Sequence, residues 1–315
     1  MAEAEVGDDG YGEDPTVRTL EEAYADRVGK DAALFVPSGT MANQIALRLL
    51  GRAGTAVVAG RRQHVVIYED GAAGTNAATS WYLLDDDVGV LASDGVREAI
   101  ASEEHHWAPV SAVFIEDTHM PSGGRPWSRD ALDALADATG SLPIHLDGAR
   151  LFNAERATGI PAAERAAGAT TVMTCLSKGL GAPVGSMLAT PSELIDQARH
   201  ERKRLGGAMR QSGVLAAAGL LALEHHIERL DEDHARARAL ADAVIERFPG
   251  SGLDPATVTT NVVVFATPDA TKFVDHLRAH GVLAGTIAPG VVRLMTHLDV
   301  DDAALTHAIE AVRSF

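Results

Sequence analysis

Seven short apolar runs, most of them continuous rather than alternating, limit what this chain can fold into. They lie at residues 32–36, 56–59, 65–68, 112–115, 144–146, 171–175 and 186–189, with helical patterns such as 40–50, 128–139 and 161–167 between them. A strand with one face in water alternates apolar and polar residues, whereas a strand covered on both faces is apolar throughout. Continuous runs separated by helices therefore predict an α/β protein built on a mainly parallel central sheet. Ser128 and Ser192 stand where helix N-caps are expected, the latter between Pro191 and Glu193. A long helix is expected over 209–230 and another over 231–248. Beyond Pro249-Gly250 the pattern becomes strand 261–266, helix 272–280, strand 291–295 and helix 302–312, a small C-terminal α+β domain. The expected division is a large domain over 1–235 and a small one over 236–315.

A chain of 315 residues, 46% hydrophobic, can bury a large core. No apolar run approaches the roughly 18 residues that span a bilayer, and the acidic first residues carry no visible signal peptide. The single cysteine, Cys175, excludes an intrachain disulfide and fits a reducing compartment. A cytoplasmic protein is the expectation. The net charge of −17 repels phosphate backbones and argues against nucleic-acid binding. The one basic cluster, Arg199 to Arg204, is interrupted by Glu201 and fits a solvated helix face. The neighbouring pairs His105-His106 and His225-His226 lie on polar segments and are expected at the surface.

Lysine is scarce, which makes its placement informative. Only Lys30, Lys178, Lys203 and Lys272 occur, and Lys178 sits in a turn after an apolar run, Cys175-Leu176-Ser177-Lys178-Gly179. A lysine amine can form an imine, whereas arginine stays protonated. An earlier run, Ile144-His145-Leu146, ends on Asp147. A strand-end Asp before a strand-end Lys is the pairing expected around pyridoxal phosphate, whose pyridine nitrogen a carboxylate keeps protonated. Asp147 alone would equally cap a turn or pair with Arg150. Ser38-Gly39-Thr40 follows a strand and opens a helix, where free amides and the Thr40 hydroxyl suit a phosphate; by itself it is an ordinary strand–helix turn. His64 is expected at the beginning of a strand or in its entry loop, to stack on a ring, exchange protons or serve structurally. His119, in Glu116-Asp117-Thr118-His119, lies beyond a strand's C-terminal end, where ligands bind in open α/β sheets. Arg150 and Arg293 are each flanked by apolar residues and need a carboxylate, from the protein or from an amino-acid ligand. No metal-site spacing is present, so no metal is expected.

These segments together resemble the L-threonine aldolase family of fold-type-I pyridoxal-phosphate enzymes, within the β-eliminating lyases. The likeness runs from Val6-Gly7-Asp8-Asp9-Gly10-Tyr11-Gly12 through Ser38-Gly39-Thr40-Met41-Ala42-Asn43 and Glu116-Asp117-Thr118-His119. It continues in His145-Leu146-Asp147-Gly148-Ala149-Arg150, Cys175-Leu176-Ser177-Lys178-Gly179, Met209-Arg210-Gln211-Ser212-Gly213 and Arg293-Leu294-Met295-Thr296-His297. The resemblance implies Lys178 as the Schiff-base lysine, with Gly39, Thr40, His64, Asp147 and Arg150 around the cofactor. Within that set, Gly39 and Thr40 hold the phosphate, His64 stacks on the ring and Asp147 faces the pyridine nitrogen. It also implies that Arg150 and Arg293 bind the substrate carboxylate and that His119 faces the substrate hydroxyl. His64, His119 or a water remains open as the base. The implied assembly is a homotetramer of dimers, with Lys203 and Arg210 near a site shared between subunits.

The implied reaction is retro-aldol cleavage of L-threonine, L-allo-threonine or another β-hydroxy-α-amino acid to glycine and an aldehyde. A β-eliminating lyase or aminotransferase on the same fold, or a catalytically weakened oligomeric homologue, are the alternatives. One departure stands out. The family carries a strand-like R-S-D-T-V-T segment before the Gly-Asp-Asp motif, and here Met1 precedes that motif by only a few residues. The expectation is a start site placed too late or a shortened chain, with weaker substrate binding and subunit packing.

Overall fold

The computed structural model describes residues 1–102 and 106–315. Seven strands form one sheet: β1 (Ala32–Val36), β2 (Ala56–Gly60), β3 (Ser80–Leu84), β4 (Val110–Glu116), β5 (Ile144–Asp147), β6 (Thr171–Cys175) and β7 (Ser186–Thr190). Their spatial order is β1-β7-β6-β5-β4-β2-β3. Pairings are parallel from β3 to β6, and β7 runs antiparallel to both β6 and β1. The expected mainly parallel sheet is therefore present. Strands β2, β4, β5, β6 and β7 are buried at every position, as their continuous apolar runs require. Neighbouring residues feed opposite faces: Phe35 and Ile115 join Leu20, Tyr24 and Phe152, whereas Leu34 and Phe114 join Ile45, Leu47 and Met173. Each such fully buried side chain contributes about 1.5–3 kcal/mol of transfer free energy.

The helices that matter for the site have clear local causes. Helix α1 (Pro15–Val28) begins with Pro at its first position and Asp14 at its N-cap, accepting from the Val17 amide at 3.0 Å. Helix α2 (Gly39–Leu50) is capped by Ser38, whose hydroxyl accepts from Met41 N at 3.2 Å. A second sheet, β8 (Val262–Ala266), β9 (Gly285–Ala288) and β10 (Val291–Met295), has the antiparallel order β8-β10-β9. With the helices Leu230–Arg247, Ala270–Ala279 and Asp302–Arg313 it encloses a separate core around Phe265, Phe273, Leu277 and Val312.

Several expectations are corrected. Residues 65–68 form no strand; 65–67 belong to a short helix, α3 (His64–Ile67), and Tyr68 is its C-cap. Both edges of β2 are already occupied, by β3 and β4, so a further strand has no place beside it. Strands β3 and β9 were not expected. β3 is a partly exposed edge strand and β9 begins on Gly285, so neither carries a buried apolar run. The helix expected over 209–230 spans only Gly213–His225. Ser192 is no N-cap: it opens a 3₁₀ turn, Ser192–Leu194, without a side-chain capping bond. Ser128 does cap its helix, accepting from Ala131 N at 3.2 Å. His106 is exposed, as expected, and His105 lies outside the described residues. Among the described residues no helix is long and apolar enough to cross a membrane.

Candidate active site

Parallel strands deliver their C-terminal ends to one edge of a sheet, where ligands of such folds sit. Here that edge gathers the residues after β1, β2, β4, β5 and β6. Lys178 lies in the turn from β6 to β7, half-buried. The turn is fixed by Leu176 N to Gly185 O at 3.0 Å, Ala182 N to Leu176 O at 3.0 Å and Gly181 N to Lys178 O at 2.9 Å. His226 adds a bond from Nδ1 to the Leu180 carbonyl at 2.6 Å. His226 is thus half-buried rather than a surface residue, while His225 is exposed. Among the described residues no acid pairs with the Lys178 amine, which leaves it free to react.

Asp147 ends β5 and is buried. Its Oδ1 accepts from Ala149 N at 3.1 Å, so it does cap the following turn, and its Oδ2 accepts from Asn43 Nδ2 at 2.8 Å. No ion pair joins it to Arg150 among the described residues. The start of α2 comes close to β6: a Cβ on Gly39 would lie 2.8 Å from Cys175 Sγ and from Met173 Cε. Glycine is therefore required for that approach. With Ser38 capping Met41 N, the Gly39 and Thr40 amides have no acceptor among the described residues. They suit an anion at the helix N-terminus.

His64 opens α3, just after β2, with its side chain 36% exposed. Its Nδ1 meets Glu69 Oε1 at 3.0 Å. That hydrogen bond, with the nearby Asp147 and Glu69 charges, raises the imidazole's pKa above its ordinary value despite burial and the Lys178 charge. His119 behaves differently. Its Nε2 meets Asp86 Oδ2 at 3.0 Å, and its side chain is 1% exposed. Its Nδ1 is buried without a hydrogen-bond partner among the described residues. Asp86 is held by Arg62 through its amide at 2.9 Å and its Nε at 3.2 Å.

Two carboxylates had no role in the sequence. Glu69 is buried, and its only sequence signal is its spacing of five residues from His64. Glu116 ends β4 and accepts from His64 N at 2.7 Å and Met120 N at 2.9 Å. It thus ties the two histidine-bearing segments to one strand end. Burial, followed by the Asp147 charge, pushes its carboxyl above the usual range.

Arg150 is 8% exposed and has no carboxylate partner among the described residues. Its Nε is buried without a hydrogen bond, and its Nη2 reaches only the Met295 sulfur at 3.8 Å. Burial, and then the Arg293 charge beside it, lower its pKa. Arg293, half-buried on β10, likewise has no acidic partner among the described residues. The tertiary structure thus brings a guanidinium from the turn after β5 near one on β10, with no ion pair to either among the described residues, while the Glu116 and Asp147 charges act on Arg150.

The basic cluster is more than a solvated face. Within the helix Ile195–Arg204, Arg202 is buried, pairs with Asp9 at 2.8 Å and donates to Phe35 O at 2.8 Å. Arg210 pairs with Asp8, and its carbonyl accepts from Asp9 N at 2.8 Å. Lys203 and Arg210 line a concavity of about 680 Å³ together with Gly10, Tyr11, Arg18 and Arg199.

Residues 1–268 match the family model described as beta-eliminating lyase. The chain belongs to that family. It is 37% identical to the low specificity L-threonine aldolase of Escherichia coli (strain K12) over 320 residues, covering 100% of this chain and 93% of that protein. It is 36% identical to the probable low-specificity L-threonine aldolase 2 of Arabidopsis thaliana over 325 residues, 98% of this chain and 90% of that one. A solved structure of Leishmania major threonine aldolase superposes with a TM-score of 0.83 at 20% identity, covering 100% of this chain and 92% of that chain. The fold is therefore that of the fold-type-I pyridoxal-phosphate enzymes. The residues fit that cofactor: an unpaired lysine amine, a buried strand-end carboxylate, open amides at a helix start and a buried guanidinium with an unsatisfied Nε.

Proposed function

We propose that this chain is a pyridoxal-phosphate-dependent aldehyde-lyase cleaving L-threonine, L-allo-threonine and related β-hydroxy-α-amino acids to glycine and an aldehyde. The observation that carries the reading is the Arg150–Arg293 pair, a buried guanidinium beside a half-buried one, neither in an ion pair with an acid among the described residues. A substrate carboxylate supplies the missing charge through bidentate bonds. Full-length identity to low-specificity L-threonine aldolases supports the choice of reaction.

The cofactor supplies an electron sink for the pair released when the Cα–Cβ bond breaks. Lys178 offers the amine for its attachment, and Asp147 the carboxylate that keeps a ring nitrogen protonated. The Gly39 and Thr40 amides and the Thr40 hydroxyl hold the phosphate. His64, partly exposed and oriented by Glu69, would face the ring and, when neutral, would take the proton of the β-hydroxyl. His119, whose Nδ1 is unpartnered among the described residues, would be a second imidazole for that hydroxyl. We assign residues 1–235 to the cofactor-binding domain and 236–315 to the small domain that brings Arg293. The concavity bearing Lys203 and Arg210 is assigned to a subunit contact in a homotetramer, and the compartment to the cytoplasm.

The test is direct. Purified protein with pyridoxal phosphate and L-threonine should release acetaldehyde and glycine in equal amounts. Release of ammonia with a 2-oxo acid, or a need for a stoichiometric amino acceptor, would instead establish a β-eliminating lyase or an aminotransferase.

A further inference from the structure

One amide lies where two buried carboxylates converge. Asn43 Nδ2 donates to Asp147 Oδ2 at 2.8 Å and to Glu69 Oε1 at 2.9 Å. Its Oδ1 meets His145 Nε2 at 2.9 Å, and His145 Nδ1 meets Thr171 Oγ1 at 2.8 Å. The directions of all four bonds follow from chemistry. Two carboxylates can only accept, so the nitrogen of Asn43 must face them and its oxygen must face His145. His145 then carries its proton on Nε2 and accepts from the Thr171 hydroxyl. Burial pushes its pKa down to about 4, so it stays neutral and the arrangement holds across the physiological range. Glu69 also accepts from Gln44 Nε2 at 2.6 Å and meets His64 Nδ1 at 3.0 Å, with no Lys or Arg among its partners within the described residues.

We infer that Asn43 is a positioning residue that couples the Asp147 carboxylate to the Glu69–His64 pair. The inference rests on the placing of Asp147 and His64 at a cofactor site, but not on which amino acid is cleaved. Asn43 has two amide protons and commits both. Any rotation that improves one bond therefore weakens the other, and a change of charge at His64 reaches Asp147 through a single rigid group. Asn43 sits one turn into α2, whose first residues offer the anion seat. The same helix thus sets the phosphate end and the carboxylate beneath the ring relative to each other. The charged groups acting on His64 are Glu69, Asp147 and Lys178, while Glu116 accepts its backbone amide.

Two variants test the coupling in cofactor-free protein. Asn43→Ala removes the donor from both carboxylates; Asn43→Asp keeps the shape and offers none. In each, Glu69 is left less neutralised, so the His64 titration should move to higher pH. It is followed by NMR of labelled histidine and identified by its absence from His64→Gln. The dissociation constant for pyridoxal phosphate should rise about tenfold or more, as expected for loss of one hydrogen bond to a charged group. An unmoved His64 titration in a folded variant overturns the inference. If neither variant folds, the parent decides: the Asn43 side-chain amide resonances should follow the His64 titration and shift when pyridoxal phosphate is added. Resonances indifferent to both overturn it. None of these measurements uses an amino-acid substrate, so failure of threonine cleavage would leave them standing.

Discussion

Replacing Arg150 with Met should separate function from stability. We predict that the Arg150→Met variant keeps or gains thermal stability while losing most of its affinity for amino acids. Arg150 is 8% exposed, bonded only to the Met295 sulfur, and faces the like charge of Arg293. Exchanging buried ionic groups for apolar ones of similar size is often neutral or gains about 1–4 kcal/mol, and here no ion pair is broken among the described residues. With an unfolding entropy of about 2.1 cal/mol/K per residue, each kcal/mol moves the melting temperature of a 315-residue chain by roughly 1.5 °C. On the other side, a hydrogen bond between charged groups contributes about 1.5–3 kcal/mol, roughly ten- to 150-fold in affinity. The assay is a thermal melt of cofactor-free protein, together with KM for L-threonine from initial rates at saturating pyridoxal phosphate. Expected are an unchanged or higher melting temperature and a KM at least about tenfold higher. A lower melting temperature with an unchanged KM would refute the reasoning and make Arg150 a structural cation.

Three further predictions use the same geometry. Lys178→Ala should prevent borohydride from fixing pyridoxal phosphate to the chain and should abolish cleavage; a cofactor mass adduct with normal turnover would sink the assignment. Asp147→Asn should fold yet lose about 10²–10³-fold in kcat, the range for removing one electrostatic stabiliser, and near-normal kcat by steady-state rates would contradict it. His64 must be neutral to accept a proton, and Glu69 holds it charged to higher pH than an ordinary imidazole. Accordingly kcat/KM should rise with pH through a midpoint above the usual histidine value, and Glu69→Gln should move that midpoint down; a profile indifferent to Glu69→Gln would point to another base.

The sheet was legible because its strands are buried on both faces. Runs such as Val113-Phe114-Ile115 and Ile144-His145-Leu146-Asp147 carry their topology in plain apolar sequence. Residues 65–68 misled for a physical reason: four apolar residues satisfy a helical turn as well as a strand, and only the occupied edges of β2 decide between them. β3 escaped because an edge strand is half in water, and its burial pattern resembles that of a loop. His226 escaped too, since nothing local says that a histidine at a helix end will meet the Leu180 carbonyl of a distant turn.

The site divides along the same line. Lysine scarcity, a strand-end Asp and a glycine before a helix are local facts, so Lys178, Asp147 and Gly39 could be picked from the chain alone. Whether Arg150 finds an acid could not, because Arg293 is 143 residues away on another sheet and every candidate acid is held elsewhere. Nor could the sequence reveal that Glu69, Asn43, Asp147 and His145 share hydrogen bonds, since they come from the segment after α3, from α2 and from β5 and meet only in the folded chain. Sequence determines which residues carry chemistry and which runs must be buried. Which charges are paired and which are left for a ligand is decided by long-range packing, because an ion pair depends on separation in space rather than along the chain.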